Sequence, residues 1–271
     1  MGNFTPSLNR GWGQYWTSIK VNTGKSEFSY SGWFAPRWNL EMGRSNTERY
    51  ELADGSRYVR TEQSQKGSGF EAWHNGHTLN YNFLDPQKQM FNASLNLNNN
   101  NYKNKYKGIL TDERLGGIEN NMYYRTEYIS LHPSLNLYYQ NNLKKDQLIM
   151  ANLVTSYETS HSHRLYNEND LATDAPMVNI DNLIKGKTFS VLGEVDYEKT
   201  WKNSRFTAGI RHTQSWIQNK YVEQNTIDRM NQGNSYIFGE YWLRLGNHFD
   251  GSVGLGYSLY HYAPQNRQSH T

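Results

Sequence analysis

The chain has 271 residues, 28 Lys or Arg against 25 Asp or Glu, nine His and no cysteine. A net charge of +3 is too small to imply nucleic acid, and without thiols there is neither a disulfide framework nor a cysteine metal site. Mean hydropathy is low at −0.91, yet aromatics reach 14%, which does not fit disorder and implies patterned rather than averaged hydrophobicity.

From the N-terminus, MGNFTPSLNRGWG carries neither the basic start nor the apolar run of a signal peptide. Residues 14–21 form the first predicted strand, with Tyr15, Thr17, Ile19 and Val21 on one face. After the Asn22–Lys25 turn, residues 27–42 form a second, with Phe28, Tyr30, Phe34 and Trp38 opposite Glu27, Arg37 and Glu41. Residues 44–68 read as a charged connection containing a short hairpin at Asp54-Gly55.

The clearest signal is TLNYNFLDPQKQMFNASLNLN, residues 78–98. Leu79, Tyr81 and Phe83 alternate with Asn80 and Asn82, a Pro-containing turn follows, and Phe91, Ala93, Leu95 and Leu97 alternate with Asn92, Ser94 and Asn96. This is an antiparallel hairpin with one apolar and one amide-rich face. Residues 99–124 read as a long loop. Strand 127–139 shows Leu135 and Leu137, strand 147–158 shows Leu153 and Tyr157, and residues 159–186 read as another loop. Strand 187–198 sets Phe189, Val191 and Val195 against Glu194 and Asp196, and strand 205–217 sets Phe206 and Ile210 against Arg211. After a loop at 218–234, strand 235–245 carries Glu240 and Arg244, and the last strand shows Val253, Leu255, Tyr257 and Leu259. That makes about ten strands with no defensible domain boundary, and short connections alternate with long ones.

A soluble sandwich also has one apolar face per strand. Four features favour a membrane instead: strand lengths that suit a tilted span, alternating connection lengths, a polar face rich in Asn, Ser and charge, and aromatics near strand ends. The expected fold is therefore an all-β, antiparallel up-and-down transmembrane β-barrel. Leu79, Tyr81, Phe83, Phe91, Leu95, Leu97, Leu135, Leu137, Val253 and Leu255 are expected to face lipid. Arg37, Glu41, Glu194, Asp196, Arg211, Glu240 and Arg244 are expected to line the lumen, their mixed signs pointing to ion pairs that brace neighbouring strands.

Catalytic and metal chemistry is not expected. His74 and His77, or His161 and His163, lack a completing carboxylate and read as loop histidines, and Ser162 between two histidines is no triad. The Gly-rich stretches 115–117 and 251–256 precede no helix, which excludes a phosphate loop. No cofactor is expected.

The hairpins TLNYNFLDPQKQMFNASLNLN and SLHPSLNLYYQNNLKKDQLIMANLVTSYETS, with the aromatic, Gly-rich SYIFGEYWLRLGNHFDGSVGLGYSLY, resemble the outer-membrane barrel region of Bacteroidetes TonB-dependent receptor-like proteins. The resemblance spans most of residues 11–262 and rests on strand texture. It implies a 22-stranded barrel closed by a plug domain, ligand uptake across the bacterial outer membrane, and coupling through the plug to an inner-membrane energy complex. Against that family the sequence lacks plug, signal peptide and a terminal aromatic (it ends in RQSHT). Residues 1–271 are therefore expected to be a single, incomplete barrel domain whose remaining strands lie elsewhere. The alternative is a soluble or secreted β-rich carbohydrate-binding module.

Overall fold

The computed structural model describes residues 2–9, 11–113, 118–246 and 249–268. The stretch at 115–117 and the final 269–271 lie outside the described residues. Thirteen strands make one antiparallel sheet: β1 (Gly2–Asn9), β2 (Trp12–Thr23), β3 (Ser26–Glu41), β4 (Ser45–Glu51), β5 (Arg57–Ser64), β6 (Gly69–Asp85), β7 (Gln89–Asp112), β8 (Ile118–Leu143), β9 (Gln147–Asp170), β10 (Pro176–Trp201), β11 (Ser204–Tyr221), β12 (Thr226–Leu245) and β13 (Phe249–Gln268). Neighbours in sequence are neighbours in the sheet, except that β4 and β5 leave the main path: β5 pairs with β7 beyond the point where β6 begins. The all-β, up-and-down antiparallel fold is the one expected. Among the described residues β1 and β13 stand at opposite edges without pairing to each other.

All ten expected strands are present, and β1, β4 and β5 are additional. The expected Asp54-Gly55 hairpin joins β4 to β5, with Gly55 at a φ of 82°. The long loops are the main correction. Residues 99–112 pair with 118–131, 159–169 with 176–187, and 218–221 with 226–229. They continue the hairpins below them. Their alternation is polar on both faces, so the apolar period that marks a strand in sequence is missing. β7 to β10 therefore reach 24, 26, 24 and 26 residues, more than twice the roughly 9–11 a bilayer needs.

Cross-strand pairing fixes the two faces, because opposed residues point to the same side. One row runs Ile19, Tyr30, Leu79, Leu95, Leu135, Thr155 and Val191 across β2, β3 and β6 to β10. The next face inward is Asn92, Tyr138, Asn152, Glu194, Arg211 and Tyr236 across β7 to β12. Leaving glycine and proline aside, the buried strand residues (among them Ala72, Tyr106, Leu110, Asn120, Met122, Ser130, Glu168 and Ser215) all lie on this second face. Hence the sheet curls with its polar face concave and its apolar face convex.

Candidate functional site

On the convex side the apolar rows stay open. Leu79 is 52% exposed, Leu95 48%, Val195 49% and Ile237 55%. Tyr81, Phe83, Phe91, Leu97, Leu135 and Leu137 share this face by register, as do Val253 and Leu255 on the edge strand β13. All ten expected lipid-facing residues thus lie on one side. The band ends upward at Trp73, Ile129, Tyr157, Phe189 and Trp216, beyond which the same face carries Lys103, Lys105, Lys107, Arg125, Glu127, Lys187 and Lys220.

The charged set is partly as expected. Arg37, Glu194, Asp196, Arg211, Glu240 and Arg244 are on the concave face. Glu41 is not. A register shift between Arg37 and Leu40, with Asn39 at a φ of 50°, sets two residues against one and flips the alternation. Glu41 then opposes Gly69 on the outer side, and Leu40 opposes Phe70 on the inner side. Strict counting by twos from Phe28 carries no sign of such a bulge.

The structure does not gather these charges into one site. Arg37 donates to the Gly13 carbonyl at 3.0 Å and the Pro36 carbonyl at 2.9 Å, and lies 5.4 Å from the Trp12 ring. Six strands along the sheet, Arg211 pairs with Glu194 at 2.5 Å, which is a brace between β10 and β11. Arg244 covers the Trp242 ring at 5.4 Å. Asp196 Oδ1 is buried with no protein partner and faces Gly209, where a side chain would collide with it.

Above the apolar band, the concave face builds a centre that sequence reading missed. Tyr106, Leu110 and Met122 form a buried cluster, with Tyr124 and Tyr166 packed on it. The β4–β5 hairpin covers it with two arginines. Arg44 pairs with Glu62 at 2.5 Å and sits 4.6 Å over the Tyr106 ring. Arg60 reaches Glu168 of β9 at 2.8 Å and Tyr166 Oη at 3.0 Å, while Tyr166 donates to Glu168. β5 and β9 are separated by β7 and β8, about 14 Å on a flat sheet. The curl of the sheet and two extended side chains close that span.

Burial pushes the Tyr106 phenol up, and burial together with the Glu168 carboxylate pushes Tyr166 well above the usual phenol range. Both therefore remain neutral under physiological conditions, and Tyr166 keeps the proton it donates to Glu168. The only signal for this centre was the crowding of Tyr, Arg and Glu in segments that read as loops.

Buried polar groups are ordinarily paired. On the concave face His74 Nδ1, Asn104 Oδ1, Asn120 Oδ1, Thr126 Oγ1, Asp196 Oδ1 and Asn234 Oδ1 have no protein partner. That suits a wet interior and opposes a dry packed one.

Other expectations resolve locally. His74 and His77 point to opposite faces of β6, and His77 Nδ1 meets Tyr30 Oη at 2.8 Å. His161 and His163 lie on β9, not in a loop, and His163 Nε2 contacts Asp181 at 2.7 Å. No group of three His, Asp or Glu converges on a metal-sized site among the described residues. Of the strand-end aromatics, Tyr15, Phe34, Tyr139, Tyr157 and Tyr197 face outward, but Trp16 and Trp33 pair with each other on the concave side at 6.2 Å.

No family model and no curated protein matches the chain. Among solved structures, the chain is similar to the β domain of the Bordetella autotransporter BrkA at 10% identity, over 94% of each chain, with a TM-score of 0.29. At that degree of overlap it assigns neither a family nor an activity.

Proposed function

We propose that the chain is part of a bacterial outer-membrane β-barrel of the TonB-dependent receptor kind, taking part in ligand capture and uptake. The observation that carries the membrane reading is the inverted lower band: apolar side chains such as Leu79, Leu95, Val195 and Ile237 stay exposed on the convex face, while Asn, Ser and charged residues line the concave face behind them. In water that arrangement forfeits the hydrophobic driving force, whereas in lipid it is the low-energy one. Backbone hydrogen bonds are satisfied strand to strand, as a bilayer requires. The edges of β1 and β13 must be paired there too, by further strands as in a larger barrel or, in reconstituted vesicles, by a second copy of the chain.

The receptor role is supported by the extensions. They hold the arginine, tyrosine and amide groups of the concave centre well beyond bilayer depth, on the end away from the tight Asp85–Lys88 and Lys144–Asp146 turns. A plug domain and an inner-membrane coupling complex would complete such a receptor, and its bound ligand would meet the concave surface of the extensions first.

Refolding the full chain separates the readings. Insertion into phosphatidylcholine vesicles with protease-protected strands is the expected result. A monodisperse, detergent-free protein in plain buffer would instead favour the soluble carbohydrate-binding alternative.

A further inference from the structure

We propose that the outward cleft where β10, β11 and β12 leave the apolar band seats the phosphate headgroup of an anionic outer-leaflet lipid. The proposal rests on the membrane reading above. Its physical basis is two adjacent cross-strand rows on the convex face. The lower row is Tyr157, Phe189 and Trp216, matched across β9, β10 and β11. Phe189 and Trp216 stack at 5.5 Å with 19° between planes, and all three rings are at least 40% exposed. The row directly above is Lys187, Gln218 and Arg229, across β10, β11 and β12. One row higher, Lys185 stands opposite Lys220.

Lys187 and Arg229 differ from the carboxylate-paired arginines of the fold. Arg211, Arg60, Arg44 and Arg125 each hold a carboxylate. Arg229 donates only to Gln218 Oε1, at 3.1 Å, and neither it nor Lys187 has a carboxylate partner among the described residues. Acids of the neighbouring segments are turned elsewhere: Asp181 meets His163, Glu223 accepts from the Leu183 amide, and Asp228 lies on the concave face. Exposed, unpaired cations one row above an aromatic belt lie at the depth where acyl chains give way to phosphates. The guanidinium fork of Arg229 suits two phosphate oxygens, with Lys187 as a point charge beside it. The Phe189–Trp216 platform, continuous with the apolar band, then receives the upper acyl chain.

The test uses the full chain inserted in phosphatidylcholine vesicles, then extracted in mild detergent and immobilised. Retention of bis-phosphorylated lipid A is measured against dephosphorylated lipid A and with inorganic phosphate as competitor. The expected result is retention of the phosphorylated form alone, unaffected by inorganic phosphate, and about tenfold or more weaker in the Lys187→Glu/Arg229→Glu variant. Lys25→Glu, at the opposite rim, should retain it fully. Equal retention by the double variant, or equal retention of the dephosphorylated lipid, overturns the site. Competition by inorganic phosphate would make it a free-phosphate site and overturn the lipid assignment. Failure of the unaltered chain to insert would instead overturn the membrane reading beneath it.

Discussion

The lower and upper halves of the same strands obey opposite burial rules. At bilayer depth β7 presents Phe91, Ala93, Leu95 and Leu97 outward and Asn92, Ser94 and Asn96 inward. Higher on the same strand Lys103, Lys105 and Lys107 face outward, while Tyr106 and Leu110 are buried inward at 4% and 2% exposure. One continuous ladder thus passes from an inside-out segment to a conventional one. Backbone pairing alone does not set the sense of burial. The solvent that each face meets does.

Cutting a leucine in each half breaks this comparison most directly. Leu110→Ala should cost about 2–5 kcal/mol in the extension, through lost transfer energy and a cavity among Tyr106 and Met122. Leu95→Ala removes the same atoms from a surface already in lipid and leaves no cavity. Hydrogen exchange along β7 and β8 should show local opening in the first variant and none in the second.

Adding charge reverses the sensitivity. Leu95→Arg should cost about 2–4 kcal/mol and block vesicle insertion. Ile109→Arg, on the same outward face but in the extension, should stay within about 0.5 kcal/mol. Asn96→Arg, inward at bilayer depth, should insert normally; equal insertion defects at 95 and 96 would sink the face assignment.

Smaller still is the effect of Glu168→Gln. It removes the charge partner of Arg60, whose side chain keeps 26% exposure, so a loss of about 1–3 kcal/mol confined to the extension is expected. Chemical denaturation followed by exchange at β5 and β9 would read it.

Acid should produce the mildest change. Burial pushes the Glu127 carboxyl up, but the hydrogen bond from Arg125 and its charge outweigh this and hold it below the usual range. A depressed folded value means the pair stabilises above the ordinary Glu range of about 4.3 and fades as pH falls through the folded value. Exchange rates at the outer half of β8 should rise in that window while the bilayer half stays protected.

Much of the lower half was legible in the sequence. A period of two with Leu and Phe on one side and Asn on the other specifies strand, register and face together, as at residues 78–98. The upper half was not. At residues 99–107 the alternation sets Asn and Lys against Asn and Tyr, so neither face announces itself, and pairing with 123–131 of β8 decides. The bulge at Asn39 is equally hidden, and counting by twos across it puts Glu41 on the wrong side. The Arg44–Tyr106 and Arg60–Glu168 contacts join residues far apart in sequence, and no local pattern reports them.

The central claim is that the convex apolar face meets lipid and the concave face meets water. With no native cysteine, spin labels at Leu95→Cys and Asn96→Cys in vesicle-inserted protein test it directly. Collision with oxygen should dominate at position 95, and collision with a water-soluble nickel chelate at position 96. Equal chelate access at both positions, or the reverse order, would contradict the account.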